Sequence, residues 1–248
     1  MRYPGFAVTI EAEKAILMPH PDPEHSEGEG WVPSFSFIAH ILYTWPFIMQ
    51  RIYPKFLLSA FAPEHFPAPT IPEVAFLGRS NVGKSSLLNA LLGSKQAHVS
   101  STPGRTRSIN FFSITDAPQR QQPQLYFADL PGYGYAKISK SISTEWPKFI
   151  EPYLAERPTL ALCLCLVDSN IPPQKSDGQL IHFLQAHDRR ILVVGTKADR
   201  LSGNARVKAQ AELRKGLGVE DLLLCSAKTG AGLKEVWSAI YSAAEDEG

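Results

Sequence analysis

The sequence predicts an α/β fold with a mostly parallel six-stranded sheet, one antiparallel strand, helices on both faces and an irregular N-terminal extension. Two observations support this fold class. Apolar segments alternate with amphipathic segments along a chain of 248 residues that is 44% hydrophobic. Within each apolar segment the hydrophobic residues are nearly continuous, which is typical of strands that are covered on both faces.

The predicted elements follow a change in composition near Phe56, and they place one large domain at residues 55–248. Strands are predicted at residues 72–77, 109–114, 124–129, 159–167, 190–196 and 221–225. Helices are predicted at residues 84–92, 145–155, 174–186, 205–215 and 232–243. The polar turn TDAPQRQQP joins the second and third strands.

The composition limits the possible classes of protein. Lys and Arg number 25 and Asp and Glu number 24, so the net charge predicts no particular partner. Cys163, Cys165 and Cys225 lie in apolar segments without a second ligand pair at zinc spacing. We therefore expect buried, reduced thiols, as in a reducing cytosol. A disulfide-stapled miniature and a chain disordered throughout are excluded.

Residues 1–54 form a separate predicted region. Residues 19–30 are acidic and rich in Pro and Gly, which predicts a disordered linker. Residues 31–49 contain no Lys, Arg, Asp or Glu and are long enough to cross a bilayer, although prolines and polar residues interrupt them. Three interpretations stay open: a membrane anchor, a helix packed on the domain, or sequence upstream of a translation start at Met49. We favour the third.

The segment GRSNVGKSS, between the first predicted strand and the first predicted helix, fits the pattern G-x-x-x-x-G-K-[ST]. Gly78 and Gly83 allow a tight loop whose N–H groups point at a phosphate, with help from the positive end of the following helix. Lys84 would bring a positive charge to the β- and γ-phosphates, and Ser85 would offer a hydroxyl to Mg²⁺. This pattern alone does not distinguish ATP from GTP.

The segment DLPG follows the apolar strand LYFAD and predicts the metal side of the site. Asp129 would hold the Mg²⁺ shell through water, and Gly132 would offer its N–H to the γ-phosphate. Residues 100–112 are predicted to form a mobile loop that closes on the γ-phosphate, with Thr106 as the second protein ligand of Mg²⁺. Tyr133 stands where Ras-like switches carry a water-orienting Gln. We therefore expect slow intrinsic hydrolysis unless a partner, a monovalent cation or another side chain assists.

The segments TKAD and SAK follow the last two predicted strands and predict recognition of a base. The carboxylate of Asp199 can accept from N1–H and the exocyclic amine of guanine, a donor pair that adenine lacks. The stem of Lys197 can cover the base plane, and N–H groups near Ser226 can reach guanine O6. Four motifs in the order phosphate, metal, base and base, each after a strand, predict that the chain binds guanine nucleotide with Mg²⁺.

The runs IPEVAFLGRSNVGKSSLLNALL, TPGRTRSINFF, DLPGYGYAK, TKAD and SAK resemble the EngB family (YihA or YsxC) of small bacterial GTPases, in the group with Era, EngA and TrmE. The resemblance spans about residues 56–243 and implies a Ras-like P-loop GTPase domain. It also implies a cytoplasmic enzyme that hydrolyses GTP to GDP as a switch in large ribosomal subunit assembly. The family is needed for normal cell division and septation.

The resemblance implies roles for individual residues. Lys84, Thr106 and Gly132 would be catalytic, and Ser85 and Thr106 would ligate Mg²⁺. Asn81 would either ligate K⁺ beside the phosphates or stabilise the loop. Nucleotide contacts are implied at Gly78, Arg79, Ser80, Asn81, Val82, Gly83, Lys84, Ser85, Gly104, Arg105, Thr106, Arg107, Ser108, Asp129, Leu130, Pro131, Gly132, Thr196, Lys197, Ala198, Asp199, Ser226, Ala227 and Lys228.

The expected partners are guanine nucleotide and the large ribosomal subunit or its precursor. We expect a monomer that binds neither DNA nor a membrane. Basic residues near the predicted moving loops are candidates for contacts with rRNA phosphates, with a solvated surface role as the alternative for each. They are Arg105, Arg107, Lys137, Lys140 and Lys148. The competing function is a membrane-linked, septum-associated, GTP-dependent interaction protein that acts through residues 31–49.

Overall fold

The computed structural model of the chain describes residues 52–96, 108–133 and 149–246. These residues contain a seven-stranded sheet and five α-helices. The strands are β1 (Tyr53–Ala60), β2 (Glu73–Gly78), β3 (Ile109–Thr115), β4 (Leu125–Asp129), β5 (Leu160–Asp168), β6 (Ile191–Thr196) and β7 (Leu222–Leu224). The helices are α1 (Lys84–Leu92), α2 (Glu151–Glu156), α3 (Lys175–Ala186), α4 (Gly203–Leu217) and α5 (Leu233–Glu245).

The sheet has the order β1-β3-β4-β2-β5-β6-β7. Strand β3 is antiparallel to both of its neighbours, β1 and β4. The pairs β2–β4, β2–β5, β5–β6 and β6–β7 are parallel. The predicted fold class, a mostly parallel sheet with one antiparallel strand, is therefore confirmed.

Strand β1 is the one described strand that the sequence did not predict, so the sheet has seven strands instead of six. It pairs with β3 from Tyr53↔Thr115 to Ala60↔Ile109, with a bulge between Phe56 and Leu58. Its sequence, YPKFLLSA, has only a short apolar run after a proline and a lysine, which is a weak strand pattern. Strand β1 begins at Tyr53, two positions before the predicted start of the domain at residue 55. The predicted division of the chain into residues 1–54 and 55–248 stays a prediction.

Helices cover both faces of the sheet. On one face, Leu88 of α1 and Ile240 of α5 pack in one buried cluster with β2 and β5. On the other face, Tyr153 of α2, Leu184 of α3 and Leu213 of α4 belong to a second cluster. Burial on both sides explains why β2 is buried at all of its positions. Among the described residues no helix is both long enough and apolar enough to span a membrane.

The three cysteines are buried and form no disulfide, as the sequence predicted. Cys163 and Cys165 belong to the same cluster because they lie two residues apart on β5. Burial raises the pKa of the Cys163 thiol to about 12, so the thiol stays protonated. The three side chains therefore serve as small core residues.

A buried ion pair holds the first residue of β2. Arg157 donates from Nε to Oε1 of Glu73 at 2.8 Å, and its guanidinium also donates to the Pro67 carbonyl. Tyr153 donates to Oε2 of Glu73 and Thr159 donates to Oε1, each at 2.8 Å. Glu73 is fully buried, and these contacts satisfy both of its oxygens. The network ties β2 to α2 and to the segment that precedes β2.

Removal of one partner should destabilise the domain because the other charge would stay buried without compensation. We expect Arg157→Ala to lower the free energy of unfolding by about 3–5 kcal/mol, measured by urea denaturation. The matched control is Arg120→Ala, which removes the exposed 2.7 Å ion pair with Asp116 and should change little. Equal effects of the two substitutions would contradict this role of the buried network.

Candidate functional site

The ends of the parallel strands bring four predicted motifs to one edge of the sheet. Parallel strands present their C-terminal ends at the same edge, which is where ligands bind in open α/β sheets. Residues 78–85 follow β2, and residues 129–132 follow β4. Residues 196–199 follow β6, and residues 226–228 follow β7. Hydrogen bonds and an ion pair join these segments to one another.

The loop between β2 and α1 has the backbone of an anion-binding loop. Gly83 has a φ of 106° and Asn81 a φ of 66°, so both are in the left-handed region. Glycine adopts this region without cost, and Asn tolerates it better than most residues. Helix α1 begins at Lys84, and its first N–H groups have no acceptor within the helix. The loop and the helix terminus together direct N–H groups and positive potential to one point.

Gly78 is required by the close approach of two elements. A Cβ atom at this position would lie 2.8 Å from Cγ1 of Val82 and 3.0 Å from the carbonyl oxygen of Leu166. Both distances are shorter than ordinary van der Waals contact, so a larger residue would displace the loop or β5. The absence of a side chain at Gly78 therefore allows the phosphate loop to pack closely against β5.

Lys84 and Asp129 are in contact across the site. Nζ of Lys84 donates to Oδ1 of Asp129 at the end of β4. Their side chains are only 11% and 7% exposed, so each charge is compensated by the other. The phosphate motif and the metal motif are thus joined by one ion pair.

Ser85 and Asp129 fit a magnesium site by the chemistry of their donor atoms. Mg²⁺ prefers oxygen ligands, and it is commonly held by a few protein oxygens together with phosphates and water. Ser85 lies in the first turn of α1, next to the lysine that contacts Asp129. The second predicted ligand, Thr106, lies outside the described residues, so its role stays a prediction.

The segment that follows β4 is hydrogen-bonded to the phosphate loop. The N–H of Ser80 donates to the Tyr133 carbonyl at 3.1 Å, and the N–H of Tyr133 donates to the Gly78 carbonyl at 3.3 Å. Gly132, the predicted γ-phosphate donor, immediately precedes this pairing. A Cβ atom at Gly132 would lie 3.1 Å from Oγ of Ser80, so this glycine lies close to the phosphate loop. Its hydrogen bond to a γ-phosphate stays a prediction.

The hydroxyl of Tyr133 is directed at helix α3. It donates to Oδ1 of Asp177, in the first turn of α3, at 3.1 Å. Burial raises the pKa of Asp177 above its ordinary value and raises that of Tyr133 well above 10. The sequence analysis did not single out Asp177, because no local pattern marks a carboxylate that is buried against a tyrosine 44 residues away.

The first base motif is tied to the phosphate loop at two points. Oγ1 of Thr196 donates to the Val82 carbonyl at 2.6 Å. Nζ of Lys197 donates to the Asn81 carbonyl at 2.8 Å. These bonds set the separation between the predicted phosphate and base subsites.

The two base motifs meet at Asp199. Oγ of Ser226 donates to Oδ1 of Asp199 at 2.7 Å and accepts the N–H groups of Lys228 and Thr229 at 3.2 Å. The hydrogen bond from Ser226 lowers the pKa of Asp199, which keeps the carboxylate ionised. The N–H of Ala198 donates to the Cys225 carbonyl at 3.1 Å, which joins the two segments through their backbones. The structure thus joins the two predicted base motifs through Asp199 and Ser226.

Some predicted residues lie outside the described residues, and their roles stay predictions. They are Gly104, Arg105, Thr106, Arg107, Lys137, Lys140 and Lys148. Ser108 is described and buried, and its Oγ donates to Oδ1 of Asn110 at 3.2 Å. Asn110 is paired with Asp129 in the register of β3 and β4. Ser108 therefore lies at the start of β3, near the metal side of the site.

The sequence assigned no site role to Asp168, the last residue of β5, or to Asn170, two positions further on, at the same edge. Oδ2 of Asp168 accepts a hydrogen bond from Nζ of Lys197 at 2.7 Å. The available signal was a carboxylate directly after a buried strand, the same signal that identified Asp129.

Comparisons with known proteins agree with this site. The sequence model of a family described as "50S ribosome-binding GTPase" matches residues 73–197. A protein of Acidobacterium capsulatum is 72% identical over 197 residues, which cover 79% of this chain and 93% of that protein. A protein of Koribacter versatilis is 54% identical over 195 residues, which cover 79% and 96%. Both carry the name "Probable GTP-binding protein EngB".

Solved structures show the same fold. Era in complex with MgGDPNP and nucleotides 1506–1542 of 16S ribosomal RNA has a TM-score of 0.58 at 26% identity, over 69% of this chain and 56% of Era. The structure of a probable GTP-binding protein engB has a TM-score of 0.53 at 21% identity, over 70% of this chain and 99% of that one. The identity and coverage of the curated relatives, together with the family match, show that the chain belongs to the EngB family of GTP-binding proteins of the GTPase class.

Proposed function

We propose that this protein binds and hydrolyses GTP with Mg²⁺ in the cytoplasm, as a switch in the assembly of the large ribosomal subunit that supports normal cell division. The observation that carries the proposal is the joining of phosphate, metal and base motifs at one sheet edge. Lys84 contacts Asp129, and Lys197 contacts the phosphate loop. The description of the matched family as ribosome-binding supports the choice of partner.

Guanine would be recognised by the paired base motifs. Asp199, oriented by Ser226, would accept from N1–H and the exocyclic amine. The stem of Lys197 would cover one face of the base. The N–H of Lys228 already donates to Ser226, so the N–H of Ala227 is the group we assign to guanine O6.

The phosphates would lie in the loop of residues 78–85. Lys84 would exchange part of its contact with Asp129 for the β- and γ-phosphates, because both are anionic acceptors. Ser85 and Thr106 would hold Mg²⁺, which supplies neutralisation of phosphate charge when it is bound. Gly132 would donate its N–H to the γ-phosphate.

Hydrolysis would proceed by attack of water on the γ-phosphorus and cleavage of its bond to the β-phosphate oxygen, yielding GDP and phosphate. Lys84 and Gly132 would stabilise the charge that develops on the γ-phosphate oxygens, and Thr106 would contact the same group. Tyr133 donates its one hydroxyl proton to Asp177, so it does not also donate that proton to the attacking water. We therefore infer slow intrinsic turnover. Loss of the γ-phosphate would release Gly132, and this change is the proposed switch.

If Asp199 recognises guanine, its substitution should change which nucleotide the protein prefers. We expect Asp199→Asn to weaken GTP binding about tenfold or more and to improve xanthosine triphosphate binding, because Asn can donate to the C2 carbonyl of xanthine. Affinities are measured by calorimetry. The control Ser226→Ala keeps the carboxylate and should produce no gain for xanthosine triphosphate. Unchanged GTP affinity in Asp199→Asn would refute the assignment. Lys84→Ala should weaken the binding of both nucleotides.

The side chain of Asn81 is exposed in the phosphate loop, and we propose that it ligates K⁺ beside the phosphates. The alternative is that Asn81 stabilises the loop, where its φ is 66°. We expect faster GTP turnover in K⁺ than in Na⁺, measured by phosphate release. Asn81→Gly should remove the difference while keeping the left-handed backbone. Tyr133→Phe should retain it. Equal rates in the two salts would exclude the K⁺ role.

The ribosomal partner would be bound in a nucleotide-dependent way. We expect the monomeric full chain to co-sediment with purified large ribosomal subunits when a non-hydrolysable GTP analogue is present and to dissociate with GDP. Binding should weaken as salt rises if rRNA phosphates are contacted. Binding that ignores the nucleotide would contradict the switch. Retention on membranes in place of ribosomal particles would favour the septum-associated alternative.

A further inference from the structure

The segment of residues 168–170 holds both ends of Lys197. At the side-chain end, Oδ2 of Asp168 accepts from Nζ of Lys197 at 2.7 Å. At the backbone end, Nδ2 of Asn170 donates to the Lys197 carbonyl at 3.2 Å. The two holding residues are joined to each other, because Oδ1 of Asp168 accepts the backbone N–H and the side-chain amide of Asn170 at 3.0 Å.

Lys197 needs this support because its conformation is unfavourable without it. Its φ of 58° lies in the left-handed region, which is an unfavourable backbone conformation for a non-glycine residue. Its four-carbon stem also has many rotamers in solution, and ordering them has an entropic cost. The bonds from residues 168–170 offset both costs before any nucleotide binds.

The charge of Asp168 is suited to this role. Its side chain is 15% exposed and that of Lys197 is 25% exposed, so the pair is partly shielded from water. Burial opposes ionisation of Asp168, but the hydrogen bonds from Lys197 and Asn170 outweigh it and hold the pKa of the carboxyl below its ordinary value. The carboxylate is therefore ionised at neutral pH, and its bond to the ammonium is charge-assisted.

We propose that Asp168 and Asn170 are positioning residues for guanine, which fix the stem of Lys197 in the plane against which the base packs. The proposal rests on the proposed binding of guanine nucleotide at this site. Without Asp168 the ammonium of Lys197 keeps only the carbonyl of Asn81 among these acceptors. The stem then regains rotamer freedom, and base binding has to order it again.

This role makes a prediction that separates it from a general effect on folding. We expect Asp168→Asn in the full chain to weaken GDP binding about tenfold. Its affinity for pyrophosphate, which has no base, should stay within about twofold of that of the unaltered chain. Both affinities are measured by calorimetry. The melting temperature of the nucleotide-free protein is recorded alongside them. The control Glu212→Gln removes the exposed 3.8 Å pair with Lys208 and should change neither affinity.

A double-mutant cycle tests whether Asp168 acts through Lys197. In the Lys197→Ala background, Asp168→Asn should have less than about a twofold further effect on GDP affinity, because the group that it positions is gone. Asn170→Ala is a second variant, which alters an exposed side chain and can be tested if Asp168→Asn fails to fold. It should weaken GDP binding about threefold, and only when Lys197 is present.

Three results would overturn the inference: unchanged GDP affinity in Asp168→Asn and Asn170→Ala, additive effects in the cycle, or an equal loss for GDP and pyrophosphate. The last result would show a structural role. If the unaltered chain does not bind GDP, the proposed function itself is contradicted. A failure of the positioning role and a failure of the proposed function therefore give different results.

Discussion

The hydrogen bond from Nζ of Lys197 to the carbonyl of Asn81 joins the two halves of the candidate site. The halves follow β2 and β6, which are not neighbours, because β5 lies between them. A nucleotide must reach a phosphate loop and a base motif at the same time, so the separation of these loops determines what can bind. The bond from Thr196 to Val82 reinforces the tie, and both bonds use backbone carbonyls whose positions the loop itself sets.

Strand β2 connects the stability of the domain to its function. It begins at Glu73, whose carboxylate is buried and fully hydrogen-bonded, and it ends at Gly78 in the phosphate loop. The costly buried charge therefore lies at the edge opposite the nucleotide site. At the other edge, Lys84 and Asp129 form a second pair with little exposure to solvent. In the proposed function this lysine would also contact a bound phosphate, so its partner would be exchangeable, whereas Glu73 keeps the same partners.

The segment after β4 is positioned by contacts in two directions. Its backbone is paired with the phosphate loop through Ser80 and Gly78, while the Tyr133 hydroxyl contacts Asp177 on α3. A displacement of Gly132 must therefore be accommodated by both contacts. This arrangement also explains how a tyrosine can stand where related switches carry a glutamine: the side chain packs in the second core cluster and its polar atom is satisfied there.

The fold class, six strands, the helices and the nucleotide motifs were predictable from the sequence, because continuous apolar runs and phosphate-binding loops are local patterns. Strand β1 was not, since Pro54 and Lys55 precede a short apolar run and make the strand pattern weak. The contacts of Asp168 with Lys197 and of Asp177 with Tyr133 were also not predictable, because they join residues 29 and 44 positions apart along the chain. The sequence by itself determined the fold class and the order of the predicted phosphate, metal and base motifs. Only the tertiary structure decided which carboxylates hold those residues in place, because packing of distant segments sets those distances.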